Sequence, residues 1–307
     1  MNIDANLQVV TAPLPGHMVS WLTNEATRRY KGKSPGMIHI KTGLLSLCLC
    51  VFCITMNAAY ADTVKIRFAY IGDTEDSAYP GIRQGLNEAN TQGQFLGQEY
   101  ELDVIRLNET EQTDFSPYIA LLVAADSDAL ISLSRRLPNE PVFNLENDDD
   151  SLRDICLDNV LHIAPSRRMK NDAVAQWRKK HPGAAVEAQA WHSDFVKFAA
   201  RDLNKRFRKA FKKGMDDGAW AGWVAVKMTS DTVAREGITS AHAMLNYLQT
   251  RLSFDGQKGI EMNFRETGQL RQILLLAEHG KLVGEAPVRG VVETDDVDSL
   301  GITECPK

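Results

Sequence analysis

Seven short polar residues stand where apolar, strand-like runs end. Asp73 and Thr74 follow Val64–Gly72, Asp126 and Ser127 follow Tyr118–Ala125, Asn144 and Glu146 lie at the end of Pro141–Leu145, and Ser166 follows Val160–Ala164. Carboxylate, amide and hydroxyl groups placed this way can hydrogen-bond a small polar molecule without reacting with it. If the runs are parallel strands, their carboxyl ends open on the crevice where such sheets take ligands. Helix N-termini would begin beside several of them, and free N–H groups there suit an anion such as a carboxylate. The competing reading is turn and cap chemistry, which favours the same residue types. These seven residues are the candidate ligand-binding set, with both readings open.

Other chemistry is thin. There is no Gly-rich phosphate loop, no G-x-S-x-G and no H-E-x-x-H. His162, His181, His192, His242 and His279 are scattered without ligand spacing, which favours structural or surface roles over metal binding. Asp148-Asp149-Asp150, with Glu146 and Asn147, could hold a hard cation, or could simply be solvated. No catalytic constellation is visible, so the expectation is a non-enzyme with no cofactor and no metal.

The chain has 307 residues, 44% hydrophobic and 24% charged, with a net charge of −5. That is an ordinary globular composition without the basic excess of a nucleic-acid binder. The first 61 residues do not read as fold. A basic stretch from Met37 leads into the uncharged run Leu44–Met56, and Ala59 and Ala61 occupy the small-residue positions of a cleavage site. This is the layout of a secretory signal over residues 37–61, with cleavage expected before Asp62. A membrane anchor is the alternative, but the run is short against the ~20 residues a span needs. Residues 1–36 are polar and irregular, and read as a wrongly assigned gene start or a disordered extension. Removing residues 1–61 takes away five basic and two acidic residues, so the exported chain would carry −8. Of five cysteines only Cys156 and Cys305 would remain. In an oxidising compartment they read most simply as a disulfide, with two buried free thiols as the alternative.

The elements that must position the polar groups alternate. Val64–Gly72 and Tyr100–Leu107 are strand-like, with helical spacing from Ile82 to Asn90 between them. Tyr118–Ala125 is a continuous apolar run of the kind buried on both faces of a parallel sheet. Ser127–Leu137 and Arg167–Lys180 read as helices, and Pro141–Leu145 and Val160–Ala164 as short strands. Such alternation implies βαβ units. The link from Asn108 to Pro117 is thin for a parallel crossover. Ala184–Trp191 is ambiguous. From Asp194, Phe195, Ala199, Leu203, Phe207 and Phe211 recur at helical spacing, opposite a basic face of Arg201, Lys205, Arg206, Arg208, Lys209, Lys212 and Lys213. That face reads as solvated, or as a dock for an acidic partner. Asp216–Arg235 and a Ser240-capped segment to Leu252 are further helices; Gly259–Val288 reads as strands and turns.

Several runs are familiar. Ile66-Arg-Phe-Ala-Tyr-Ile-Gly72 and Gly81-Ile-Arg-Gln-Gly-Leu-Asn-Glu-Ala-Asn90 resemble the opening of the leucine-binding, type I periplasmic binding proteins. A closer resemblance is to the subfamily linked to pyrroloquinoline-quinone-dependent alcohol dehydrogenase systems. Asn90–Leu102, His162–Met169, Ala219–Val226 and Gly268-Gln-Leu-Arg-Gln272 carry it, and Cys156 with Cys305 looks like a pair that subfamily has. The resemblance covers most of residues 64–305. It implies export to the periplasm, two α/β lobes, and capture of a small solute (an amino acid or an alcohol-oxidation metabolite) for an ABC permease in the inner membrane. The chain departs from the pattern in one respect: Met169 reaches Trp220 with little more than helix. The expected architecture is therefore a parallel-sheet α/β lobe over residues 62–166 and a reduced, helix-rich second lobe over 167–307, with its last strands returning to the hinge. The shortening also brings in a second function, that of a non-transport accessory protein to a periplasmic quinoprotein dehydrogenase or cytochrome.

Overall fold

β1 (Val64–Ile71) has strands on both sides, and its residues from Phe68 to Ile71 are fully buried. The computed structural model describes residues 63–306. The expected signal at 37–61, its cleavage point and the extension at 1–36 lie outside the described residues. Helix α1 (Ala78–Leu96) follows β1 and closes on Gly97, whose carbonyl accepts Val64 N–H as β2 (Gln98–Ile105) begins. β3 (Tyr118–Val123) is buried throughout, as its unbroken apolar run requires. α2 (Ser127–Arg136), β4 (Val142–Asn144), α3 (Ser151–Asp154) and β5 (Val160–His162) complete an α/β layer. All five strands run parallel in the order β2-β1-β3-β4-β5. The order reverses at β1, so the switch point lies between β1 and β3, where open α/β sheets leave a crevice. The link from β2 to β3 passes over β1 with only a 3-10 turn at Leu107–Gln112, as its thinness in sequence suggested.

Beyond Ser166, α4 (Arg167–Lys180) leads into β6 (Val186–Gln189), so the ambiguous stretch before Trp191 is a strand. β6 joins β7 (Leu274–Glu278) and β8 (Lys281–Ala286) in a second sheet, antiparallel, of order β6-β7-β8. Met169 and Ala173 of α4 pack on Leu274 and Leu276 of this sheet.

The amphipathic segment expected from Asp194 becomes α5 only at Ala200–Phe211. Phe198 takes a φ of 52°, which no helix continues through. α6 (Asp217–Glu236) and α7 (Ala241–Thr250) follow. Ser240 stands at the N-cap of α7, but its side chain makes no cap bond. α6 crosses α1 at backbone contact. A Cβ on Gly81 would fall 1.7 Å from Ala219 O, and one on Gly222 2.4 Å from Ala78 O. Both positions must be glycine for the two helices to meet. The tail is tied by the Cys156–Cys305 disulfide and by buried Arg265, which reaches Asp298 and the carbonyls of Val297, Leu300 and Ile302. Among the described residues no helix is long and apolar enough to cross a membrane.

Candidate functional site

The loop after β1 is held by its own groups. Asp76 accepts hydrogen bonds from Asp73 N–H at 2.6 Å and from the Tyr70 hydroxyl at 2.9 Å. Burial, with Asp76 beside it, pushes the Tyr70 hydroxyl far above the usual tyrosine pKa, so it remains a donor. Asp73 accepts Glu75 N–H through one oxygen at 3.0 Å, and both Asp73 and Thr74 are exposed. They form the outer rim of the loop.

Ser77 opens α1 without capping it through its side chain. The cap comes from the loop after β4: Glu146 accepts Ala78 N–H at 2.8 Å and the Ser77 hydroxyl at 3.0 Å. A carboxylate of the protein thus takes the place an anionic ligand would occupy at this helix N-terminus. The first turn of α6 lies against the same spot, since a Cβ on Gly218 would sit 2.7 Å from Glu146 Oε1.

The other strand ends are similarly committed. Asp126 caps α2 by accepting Ala129 N–H at 2.9 Å. Ser127 donates to Asp149 at 3.2 Å and accepts from Asn147 at 3.3 Å. Asn144 is fully buried; its amide N–H groups go to Asn147 O at 2.8 Å and His162 Nδ1 at 2.9 Å, and its oxygen accepts Asn147 N–H. Burial, reinforced by Arg153, holds His162 well below the usual histidine range, so the ring is neutral and can accept at Nδ1. Ser166, also buried, caps α4 by accepting Met169 N–H at 3.1 Å. The structure therefore joins Ser127 and Asn144 through Asn147, turns Glu146 to the start of α1, leaves Asp73, Thr74 and Asp126 exposed, and buries Ser166 at the start of α4.

The acidic loop at 148–150 serves cations of the protein itself. Arg153, buried, donates to the carbonyls of Asn147, Asp149 and Ala164 and to Gln269. Burial lowers its pKa to about 10, and the three aspartates oppose that shift. Arg167 reaches Asp149 at 2.9 Å and Lys170 reaches Asp148 at 3.1 Å. No metal-sized group of acidic, histidine or cysteine side chains occurs among the described residues.

A further set of buried residues lies outside the sequence-derived candidates. Lys258 is fully buried, donates to Gln272 Oε1 at 2.8 Å and Ile273 O at 3.0 Å, and lies 3.9 Å above the Trp220 ring. Burial lowers its pKa to about 7, against the pull of Asp217 and Glu285. Asp217 accepts Trp191 N–H at 2.8 Å, and burial raises its pKa. Trp191 stacks on Trp220 at 5.8 Å. Gln272 in turn donates to Ile163 O, so a polar chain runs from β5 into the second sheet. The signal for it is the Gly268–Gln272 run: Gln272 makes this link, and Gln269 donates to His162 O and Ala164 O beside it.

No family model matches the sequence, and no curated protein matches it either. Solved structures do. An ABC transporter substrate-binding protein from Desulfitobacterium hafniense superposes with a TM-score of 0.62 at 11% identity, covering 72% of this chain and 99% of that one. A leucine-binding protein from Thermotoga maritima gives 0.58 at 10% identity, covering 72% and 98%. A solute-binding protein from R. palustris, solved in complex with benzoate, gives 0.57 at 12% identity, covering 71% and 95%. The chain has the type I periplasmic binding protein fold, as the sequence resemblance implied. Nothing in these matches supports the narrower tie to pyrroloquinoline-quinone-dependent alcohol oxidation.

Proposed function

We propose that this protein is the periplasmic solute-binding component of an ABC-type importer, exported by cleavage before Asp62. It holds a small polar solute at the carboxyl edge of the five-stranded sheet and hands it to an inner-membrane permease without covalent chemistry. The observation that carries this reading is the switch point. Asp73 and Thr74 after β1 and Asp126 after β3 stand exposed on either side of it, on a sheet whose fold is shared with solute-binding proteins. Because Glu146, Asp126 and Ser166 already fill the N-termini of α1, α2 and α4, the edge favours a neutral or cationic head group over an anion.

The test is calorimetry of the full chain against amino acids, amines, polyols and organic acids, repeated on Asp126→Asn. Asparagine caps a helix as well as aspartate does. The variant therefore removes charge and keeps the fold. A solute that binds with at least roughly tenfold loss in Asp126→Asn, at unchanged Tm, supports the reading. A panel in which no solute is weakened by Asp126→Asn defeats it.

One observation favours the second reading, an accessory protein of a periplasmic dehydrogenase or cytochrome: Asn144, Glu146 and Ser166 spend their hydrogen bonds on the protein itself. On that reading no solute shifts the Tm, and a purified quinoprotein dehydrogenase or its cytochrome binds the chain directly.

A further inference from the structure

A cavity lies away from the edge of the parallel sheet, between the end of α4, β8 and the loop that follows it. Its volume is about 400 Å³, the size range of small-molecule sites. Trp177, Ile273, Pro287 and Val288 supply an apolar lining. Gly284 of β8 makes this wall possible: a Cβ there would fall 2.4 Å from the Trp177 ring. His181 stacks on the same indole, with ring centres 4.1 Å apart.

Basic side chains predominate around the cavity. Lys180, Lys197 and Arg289 line it against a single carboxylate, Glu285. Lys197 neutralises that carboxylate in an ion pair of 2.6 Å. Lys180 spends one donor on Arg289 O at 3.0 Å and keeps the others. Arg289 is exposed, and its guanidinium has no hydrogen-bond or ion-pair partner among the described residues. The carboxyl end of α4 has the wrong polarity for an anion, about half a charge, and the side-chain cations outweigh it. A basic cavity with an aromatic wall is unexpected on a chain whose net charge is −5.

We propose that this cavity binds a small organic anion with an apolar, ring-sized body, such as an aryl or alicyclic carboxylate. The ring rests among Trp177, Pro287 and Val288, and the carboxylate takes the free donors of Arg289 and Lys180. The site is independent of the sheet edge, whose rim is acidic.

Three probes with one body and different heads test it: phenylacetate, 2-phenylethanol and phenethylamine, titrated calorimetrically into the full chain. Phenylacetate should bind at least about tenfold more tightly than the alcohol, and the amine should not bind. Arg289→Ala, which removes an exposed and unpaired side chain, should weaken phenylacetate about tenfold at unchanged Tm. Lys197→Met should weaken it further, because it leaves Glu285 unpaired inside the cavity. Asp126→Asn, at the sheet edge, should change nothing. Equal binding of all three probes, failure of phenylacetate to bind, or binding unaffected by Arg289→Ala overturns the proposal. Loss in Asp126→Asn alone would place the anion at the sheet edge and overturn it as well.

Discussion

The buried ammonium of Lys258 should leave a signature in the pH dependence of stability. Its folded-state pKa is lowered from 10.5 to about 7, chiefly by burial. The unfolded chain therefore keeps the lysine charged to about pH 10.5, while the folded chain releases the proton near pH 7. Between those values unfolding takes up a proton, so stability rises with pH. Each pKa unit is ~1.36 kcal/mol, so the whole span is worth ~5 kcal/mol and the part from pH about 7 to about 9.5 ~3 kcal/mol. The Trp220 face at 3.9 Å and the Asp217 carboxylate favour the charged form and bring the gain toward the lower end. Three other shifted groups act outside the range from pH about 7 to about 9.5. His162 titrates below it, Arg153 is lowered only to about 10, and Tyr100 is raised to about 12. Urea unfolding followed by circular dichroism, at several pH values across the window, should show wild type climbing and Lys258→Met flat. The variant leaves Gln272 Oε1 and Ile273 O without a donor, so it should fall below wild type at the alkaline end by ~1–3 kcal/mol. A flat wild-type profile, or a variant that climbs in parallel with wild type, would refute the assignment.

Two more perturbations probe the frame that carries both sites. Gly81→Ala should destabilise by ~2–3 kcal/mol, since its methyl would lie 1.7 Å from Ala219 O and must push α6 off α1; an unchanged Tm would mean the helices do not meet there. Cys305→Ser should lower the denaturation midpoint, because the bridge closes a separation of 149 residues, worth up to ~5 kcal/mol in chain entropy; equal midpoints with and without reductant would show that the bridge is not formed.

The parts of this fold that could be read from sequence are those whose physics is local. β1 and β3 follow from β-branched and continuous apolar runs, and α4 from a helical pattern that ends before Pro182 and Gly183. Asp126 and Ser166 could be recognised as caps because a cap lies three residues from the N–H it serves. Glu146 could not, since it caps a helix that begins at Ala78. The same distance hides sheet order: nothing near β2 says that it will pair with β1 on the side away from β3. The late start of α5 turned on one residue, Phe198, whose positive φ overrides a pattern that was otherwise helical. Nor does sequence say whether a polar strand end is free. Asp73 and Asn144 look alike in the chain, yet one is exposed and the other is buried with its amide fully paired.

That difference determines which solutes the edge can hold. An anion approaching α1 would have to displace Glu146, leaving that carboxylate beside the incoming charge with Ser77 and Ala78 N–H no better satisfied than before. At α2 it would have to displace Asp126 on the same terms. Like charges in a partly desolvated site repel, so a solute whose only charge is a carboxylate gains nothing there, whereas an ammonium or hydroxyl head meets Asp73, Thr74 and Asp126 on the rim. At the β8 cavity the balance is reversed, because Arg289 and Lys180 have donors to offer and Glu285 is already neutralised. A zwitterion satisfies only half of its charge at either place. Charge sorting between the two sites therefore predicts that amines and carboxylates bind without competing, and a single solute that displaced both would show that the acidic rim and the basic cavity are one surface.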